Sequence, residues 1–442
     1  MRIAIICTLY PPYILGGAEI SVSLLAKGFA EAGNEVVVIT TGERDSKEVI
    51  NGVNVFRVKN KNIYWRYPQR EKSIVRKSLW HLIDIYNPFY IGKVESILRN
   101  FKPDVINTSN LCGLSTVVWD VAHKLNIPIV HTLRDYYLLC PQQTMIKGAQ
   151  SCEQQCFVCH SYSVVKKKMS KKVDALVGIS DFIREKHISF GYFKNAKIAM
   201  TVPNSVDSIP IEEKDVTHCI GYIGRLSPEK GIEFMIEAFM ESKLSKQYKL
   251  LIAGTGNKGY ADSLKTKYAT SQVVFVGKQK QTDFFKQIDL LVVPSLWDEP
   301  FGRVVIEAYA SHCPVFMSDN GGLKELQVDG ISWCFNTKNS KELVSLLDSY
   351  MNNRLTIKLP LFDKEVEKYS EAKITESYMG IFQKILTLFC LRANIILYEC
   401  LYPRAWRYAP SEAHHAAPAH SIPYLSLSAQ PSALPAAALR RV

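Results

Sequence analysis

The sequence has no long apolar run. Its N-terminus, Met1-Arg2-Ile3-Ala4-Ile5-Ile6-Cys7, is apolar only briefly before Pro11-Pro12 and Gly16-Gly17 interrupt it. A secretory signal needs a longer apolar stretch and a small-residue cleavage site. Nowhere does the chain reach the roughly 18 uninterrupted apolar residues of a membrane span. The best stretch, Ile385 to Leu401, is broken by Arg392, Asn394 and Glu399. The expectation is therefore a cytoplasmic protein, or one peripheral on the inner face of the cell membrane. No G-x-G-x-x-G follows the first strand candidate, which disfavours a nicotinamide-dependent oxidoreductase, and the P-loop spacing is absent too. No nucleic-acid-binding motif accompanies the positive charge, so nucleic acid is not an expected partner.

What is present is a globular composition: 442 residues, 47% hydrophobic and 22% charged. That length is too great for one comfortable core and fits two domains. The formal net charge is +12, which favours anionic partners such as phosphate-bearing substrates or anionic lipid. Part of the excess is local. Lys59–Lys102 holds ten Lys/Arg against three Asp/Glu, interleaved with Tyr64, Trp65, Tyr67, Trp80, Tyr86, Phe89 and Tyr90, and a second run is Lys166-Lys167-Lys168 with Lys171-Lys172. Such runs read as solvated helix faces, or as contacts with an anionic membrane surface or a phosphorylated acceptor. Of the 11 cysteines, seven are scattered singly, as buried small hydrophobes usually are.

Short β-branched runs alternate with amphipathic stretches from end to end. Strands are expected at Arg2–Thr8, Val36–Thr40, Val53–Val58, Asp104–Ser109, Pro128–Leu133 and Ala175–Ser180, then at Cys219–Gly224, Lys249–Gly254, Val273–Gly277, Asp289–Ser295 and Pro314–Ser318. Helical patterns such as Glu19–Ala32 and Ile232–Met240 lie between them. The alternation predicts an α/β architecture with parallel sheets, and the pattern starts twice, at Arg2 and at Cys219. Two doubly wound sheets would face a cleft at their strand C-terminal ends. The expected division is a first domain over 1–203, a linker over 204–217, a second domain over 218–370 and a returning helix over 371–388. Residues 389–442 form an atypical tail, read as disordered from about 403 because that stretch is rich in Ala, Pro, Ser and His without periodicity.

The strongest chemical signal is Glu299-Pro300-Phe301-Gly302-Arg303-Val304-Val305-Ile306-Glu307, after the strand ending at Pro294-Ser295. One carboxylate precedes a helix and the other lies inside it, so the two can reach different hydroxyls of one ligand. Backbone N–H groups near Gly302 to Val304 would be aimed at an anion. A second constellation, Gly224-Arg225-Leu226-Ser227-Pro228-Glu229-Lys230-Gly231, puts two cations on a turn after a strand, which suits a diphosphate or, taken alone, a solvent-exposed turn. A third is Gly16-Gly17-Ala18-Glu19, where two glycines allow close backbone approach to a ligand or simply a tight turn.

These motifs in this order resemble glycosyltransferase family 4, from Met1 to about Leu386. The resemblance also rests on Val202-Pro203-Asn204-Ser205-Val206-Asp207 and on Gly321-Gly322-Leu323-Lys324-Glu325 followed by Asp329-Gly330. It implies the GT-B fold, two Rossmann-like domains facing a central cleft, and transfer of a sugar from a nucleotide-sugar donor with retention. By resemblance, Arg225 and Lys230 bind the donor diphosphate, Glu299 contacts the donor sugar and Glu307 holds the ribose hydroxyls. The Phe301, Gly302, Arg303 and Val304 backbone meets the phosphates, and Gly17 lets the first domain approach them. No metal is required for catalysis. The implied acceptor is a saccharide or lipid-linked saccharide, in cell-surface polysaccharide synthesis. A nucleotide-sugar epimerase of the same fold and a non-catalytic sugar-nucleotide-binding protein are the competing readings.

The segment His131-Thr132-Leu133-Arg134-Asp135 departs from the family pattern. Many relatives place a His-Asp pair here, and Arg134 occupies the usual His position. Arg cannot act as a base, but it could pair with Asp135 or with a phosphate. The role of His131, active-site group or core residue, stays open. Just beyond lie Cys140, Cys152, Cys156 and Cys159, an insertion over 140–160 with His160 adjacent. Four thiolates suit a structural Zn²⁺ site; an iron–sulfur cluster uses the same ligands, and unligated thiols are the further alternative.

Overall fold

The computed structural model describes residues 1–68, 73–148, 150–206 and 216–401, with side chains to Leu391. The chain divides into two compact units, Met1–Leu391 and Arg392–Val442. Both sheets and the cleft between them belong to the first unit. The expected disorder from about 403, and most of the expected linker, lie outside the described residues.

Among the described residues, an eight-stranded sheet runs in the order Ile198–Thr201, Ala175–Gly178, Ile129–Leu133, Val105–Ser109, Arg2–Ile6, Glu35–Gly42, Val53–Lys59 and Ser46–Ile50. All of its pairings are parallel except that of the last two strands. A six-stranded, wholly parallel sheet follows, in the order Val273–Gly277, Lys249–Ala253, Cys219–Ile223, Leu290–Val293, Val315–Ser318 and Ser332–Phe335. Central strands such as Ile3-Ala4-Ile5-Ile6 and Leu290-Leu291-Val292 are buried throughout, because helices cover both faces of a parallel sheet. The edge strands Ser46–Ile50, Ile198–Thr201 and Ser332–Phe335 were not expected. Ser46–Ile50 and Ile198–Thr201 are half-exposed, Ser332–Phe335 is more buried but short, and the mixed composition of all three lacks the continuous apolar run that marks a central strand.

Six helices bear on the site: α1 (Gly17–Glu31), α2 (Ile74–Ile85), α3 (Phe157–Met169), α4 (Asp181–Ser189), α5 (Arg303–Ala310) and α6 (Glu371–Leu401). The α6 helix follows the second sheet yet packs on the first. Ile374, Tyr378, Ile381, Phe382 and Ile385 join the apolar cluster of Ile3, Ile5, Val22 and Phe29. Tyr378 Oη lies 3.1 Å from Thr132 Oγ1, fastening the helix to the strand Ile129–Leu133. The helix also runs beyond the expected end at 388, to Leu401. The polar residues that interrupt an apolar run do not interrupt a helix, since Arg and Glu are good helix formers.

The basic run at Lys166 is not a solvated face throughout. Lys166 is buried, donates to the Tyr137 carbonyl at 3.0 Å and lies 3.5 Å from the centre of the Tyr137 ring. Trp80 and Tyr90, interleaved with the Lys59–Lys102 charges, are core residues as well.

Candidate active site

The motif residues sit where the parallel strands end. Glu299 follows the strand Leu290–Val293, and its Oε1 accepts both Lys230 Nζ and, at 2.7 Å, Ser295 Oγ. Lys230 Nζ also lies 5.2 Å over the Trp297 ring. The turn bearing Lys230 is pressed against this segment. Gly231 is left-handed (φ 69°), and a Cβ there would stand 1.9 Å from the Pro294 carbonyl oxygen, so glycine is required. Arg225 is exposed on the same turn and forms no ion pair among the described residues.

Gly302 (φ 147°) turns the chain into α5. One turn in, Arg303 Nε donates to Glu307 Oε1 at 2.7 Å. Arg303 Nη1 reaches across the cleft to Ser21 Oγ on α1 and to the Ser205 carbonyl, both at 3.0 Å. Gly17 opens α1 against this same side chain. Glu19 accepts the Gly16 N–H at 2.8 Å, and its burial pushes its carboxyl above the ordinary range. The structure therefore brings Gly17, Arg303 and Glu307 together and pairs Lys230 with Glu299, with Arg225 exposed on the Lys230 turn, whereas the Phe301, Val305 and Ile306 side chains are buried in the core.

The Arg134 pairing with Asp135 is not formed. Arg134 is buried and donates to Asn204 Oδ1 instead, while Asp135 accepts Asn110 Nδ2 and the Tyr137 N–H, each at 2.9 Å. Burial lowers the Arg134 pKa and raises that of Asp135. His131 lies inside the first lobe. Its Nδ1 is 2.8 Å from Thr108 Oγ1, its ring stacks on Phe193 and stands edge-on to Trp119, and burial pushes its pKa down to about 3. A ring so enclosed fills the core.

Sequence reasoning missed the residues that join the two rims. Tyr136 Oη donates to the Asp298 carbonyl at 2.7 Å, Lys186 of α4 pairs with the Asp298 carboxylate at 2.8 Å, and Ser180 Oγ donates to the Pro300 carbonyl at 2.6 Å. The Glu325 carboxylate accepts the Asp181 and Phe182 N–H groups at 2.8 and 2.6 Å, offsetting the positive end of α4. The Gly321-Gly322 pair could have signalled this packing. Gly322 N donates to the Glu299 carbonyl at 2.7 Å, and a Cβ on Gly321 would come within 2.5 Å of the same oxygen.

The profile "Glycosyl transferases group 1" matches residues 207–373, and "Glycosyltransferase Family 4" matches residues 15–208. An uncharacterized 42.6 kDa protein in the cps region of Klebsiella pneumoniae is 34% identical over 387 residues, covering 87% of this chain and 100% of that protein. An uncharacterized glycosyltransferase of Methanocaldococcus jannaschii is 27% identical, over 76% of this chain and 85% of its own length. Among solved structures, Anabaena HepE in complex with UDP-glucose superposes with a TM-score of 0.65 at 17% identity, covering 87% of this chain and 100% of its own. With its two parallel-sheet lobes meeting at their strand ends, the chain belongs to glycosyltransferase family 4, the group 1 glycosyl transferases of GT-B fold.

Proposed function

We propose that this protein transfers a hexose, with retention, from a nucleoside diphosphate sugar to a saccharide or lipid-linked saccharide of a cell-surface polysaccharide. The observation that carries this reading is the Lys230–Glu299 pair set beside the amino end of α5, opposite Gly17. Lys230 and Arg225 supply positive charge for a diphosphate, and the α5 N–H groups add the dipole of a helix N-terminus. As the glycosidic bond breaks, charge grows on the leaving phosphate, where these fixed groups stabilise it. Glu299 would take a sugar hydroxyl, since both of its hydrogen bonds fall on Oε1. Glu307, steered by Arg303, would hold the ribose hydroxyls. This arrangement supplies the positive charge at the diphosphate without a metal. The cps-region relative and the UDP-glucose held by HepE are consistent with the donor class and the biological setting.

The same reading places the acceptor at an anionic membrane surface. Among the described residues no helix is long and apolar enough to cross a membrane. On α2, Ile74, Val75, Leu79 and Leu82 are nevertheless exposed beside Arg76 and Lys77, and Phe157 and Val158 are exposed on the neighbouring α3. Apolar side chains ringed by cations suit the headgroup boundary of an anionic bilayer.

A panel of nucleotide-sugars, scored by thermal stabilisation and then by transfer to a lipid-linked saccharide, tests the proposal. One donor should stabilise the protein and yield a product whose anomeric configuration matches the donor. Inverted product would overturn the mechanism. Free epimerised sugar formed without acceptor would identify an epimerase, and binding without turnover would identify a non-catalytic binder.

A further inference from the structure

Asp298 stands beside Glu299 on the second lobe, yet its N–H, its carbonyl and its carboxylate are all bonded to the first. The N–H donates to Ser151 Oγ at 2.7 Å, the carbonyl accepts Tyr136 Oη at 2.7 Å, and the carboxylate accepts Lys186 Nζ at 2.8 Å. On the other side of Glu299, the Pro300 carbonyl accepts Ser180 Oγ at 2.6 Å. Only the carbonyl between them turns to its own lobe, where it accepts the Gly322 N–H at 2.7 Å. The segment joins the strand Leu290–Val293 to α5 and lies in neither. Backbone polar groups in such a connection need partners from elsewhere, and here the opposite lobe supplies them.

The first-lobe residues come from separate places. Tyr136 follows the strand Ile129–Leu133, Ser180 caps α4, and Lys186 lies in the last turn of that helix. Ser151 ends the short hairpin of Ile146–Lys147 and Gln150–Ser151. That hairpin belongs to the insertion over 140–160, which bears on the site through this serine. Its cysteines range from buried Cys140, through half-buried Cys152 and Cys159, to exposed Cys156. Among the described residues no group of three or more His, Cys, Asp or Glu side chains could hold a metal ion.

The contacts are of a kind that fixes direction. Tyr136 is fully buried, and the Lys186 and Asp298 side chains are only 11% and 25% exposed, so solvent screens this pair less than a surface pair. The Tyr136 ring also meets Trp297 edge-on at 5.9 Å, and Lys230 Nζ, the partner of Glu299, lies 5.2 Å over the Trp297 ring. Tyr136 thus reaches Glu299 twice, along the main chain through Asp298 and across the side chains through Trp297 and Lys230.

We propose that Tyr136, Ser151, Lys186 and Asp298 are positioning residues, through which the first lobe sets the direction of the Glu299 carboxylate. The inference rests on the reading of Glu299 as the group that meets the donor sugar. A misplacement of about 1 Å can cost on the order of a hundredfold in rate. Loss of one of these bonds should therefore appear in turnover, while Arg225, Lys230 and the amino end of α5 bind the diphosphate as before.

The test uses Tyr136→Phe, which keeps the ring, and Lys186→Met, each alone and combined with Glu299→Gln. Each single variant should lower kcat about tenfold or more. Affinity for the nucleoside diphosphate, by isothermal titration, should stay within about twofold of wild type, since its ligands are untouched. In the Glu299→Gln background neither substitution should lower kcat by more than about a further twofold, because both act through Glu299. Additive losses would overturn the proposal, and so would wild-type kcat in both single variants. Wild-type turnover in Glu299→Gln would overturn the reading of Glu299 itself, and the proposal with it. If Lys186→Met fails to fold, the cycle of Tyr136→Phe with Glu299→Gln decides the matter.

Discussion

A methyl group on Gly17 would stand 3.0 Å from Cδ of Arg303, on the opposite rim of the cleft. Gly17 is therefore small because Arg303 passes over it on the way to Ser21 and the Ser205 carbonyl. A gap of that size asks the neighbour to shift by only a few tenths of an ångström, so Gly17→Ala should fold with a nearly wild-type Tm. Displacing Arg303 loosens its grip on Glu307, and kcat/KM should fall about tenfold, equivalent to about 1.4 kcal/mol. Equal loss of Tm and turnover would mean that the glycine serves folding and not the site.

Arg225 and Lys230 should separate in their effects. Arg225 is exposed and forms no ion pair among the described residues. Arg225→Ala should weaken nucleoside diphosphate binding by roughly 1.5–3 kcal/mol, the scale of a charged hydrogen bond, with Tm unchanged. Lys230 neutralises the largely buried Glu299, so Lys230→Ala should lower both affinity and Tm. Isothermal titration with nucleoside diphosphates, paired with thermal melts, checks this. Unchanged affinity in the double variant would remove both residues from the donor site.

The sheets and the two carboxylates were legible because each has a local signature. Leu290-Leu291-Val292-Val293 is a buried parallel strand on its face, and Glu299 and Glu307 flank a glycine at a helix start. What stayed hidden is pairwise. Nothing in the sequence near Asp298 announces Tyr136, Ser151 and Lys186, which meet it from 112 to 162 residues away. Arg134 chose Asn204 over its neighbour Asp135 for the same reason, since a side chain's partner is set by tertiary packing. His131 was ambiguous because one histidine in an apolar strand looks alike whether it faces the core or the cleft.

Two enclosed histidines should make the fold acid-labile. Burial pushes His131 down to about 3 and His187 down to about 4, against about 6.5 in an unfolded chain. Between those values the unfolded state binds more protons, so stability is full above about 6.5 and is lost as pH falls through the folded pKa. His187 alone corresponds to on the order of 3 kcal/mol. Asp84 opposes this trend, because burial pushes it up to about 6 and its ionisation disfavours the fold at higher pH. His187→Phe should therefore flatten the fall in Tm between pH 6.5 and 4, and Asp84→Asn should steepen it. Parallel curves for wild type and both variants would show that neither group governs acid stability.

The last prediction reverses an ordinary rule. Replacing glycine by alanine inside a helix usually stabilises by about 1 kcal/mol, and Gly28 lies inside α1. A Cβ there, however, would stand 2.2 Å from Thr375 Oγ1 and 3.3 Å from Glu371 Cγ, both on α6. The crossing brings α6 close enough for Phe29 to meet Phe382 and Tyr378, at ring separations of 5.3 and 6.1 Å. Overpacking of this kind costs about 1–3 kcal/mol, so Gly28→Ala should lower stability despite its better helix propensity. Thr375 itself is expendable. Its hydroxyl is buried without a hydrogen-bond partner, so Thr375→Ala should be neutral or slightly stabilising. With the hydroxyl gone, the added methyl has room, and the double variant should recover most of the loss. Urea unfolding of the four proteins gives the coupling energy directly. A favourable coupling of about 1 kcal/mol or more would establish that α6 is clamped onto the first lobe at this crossing, and additive effects would show that the two helices are not in contact there in solution.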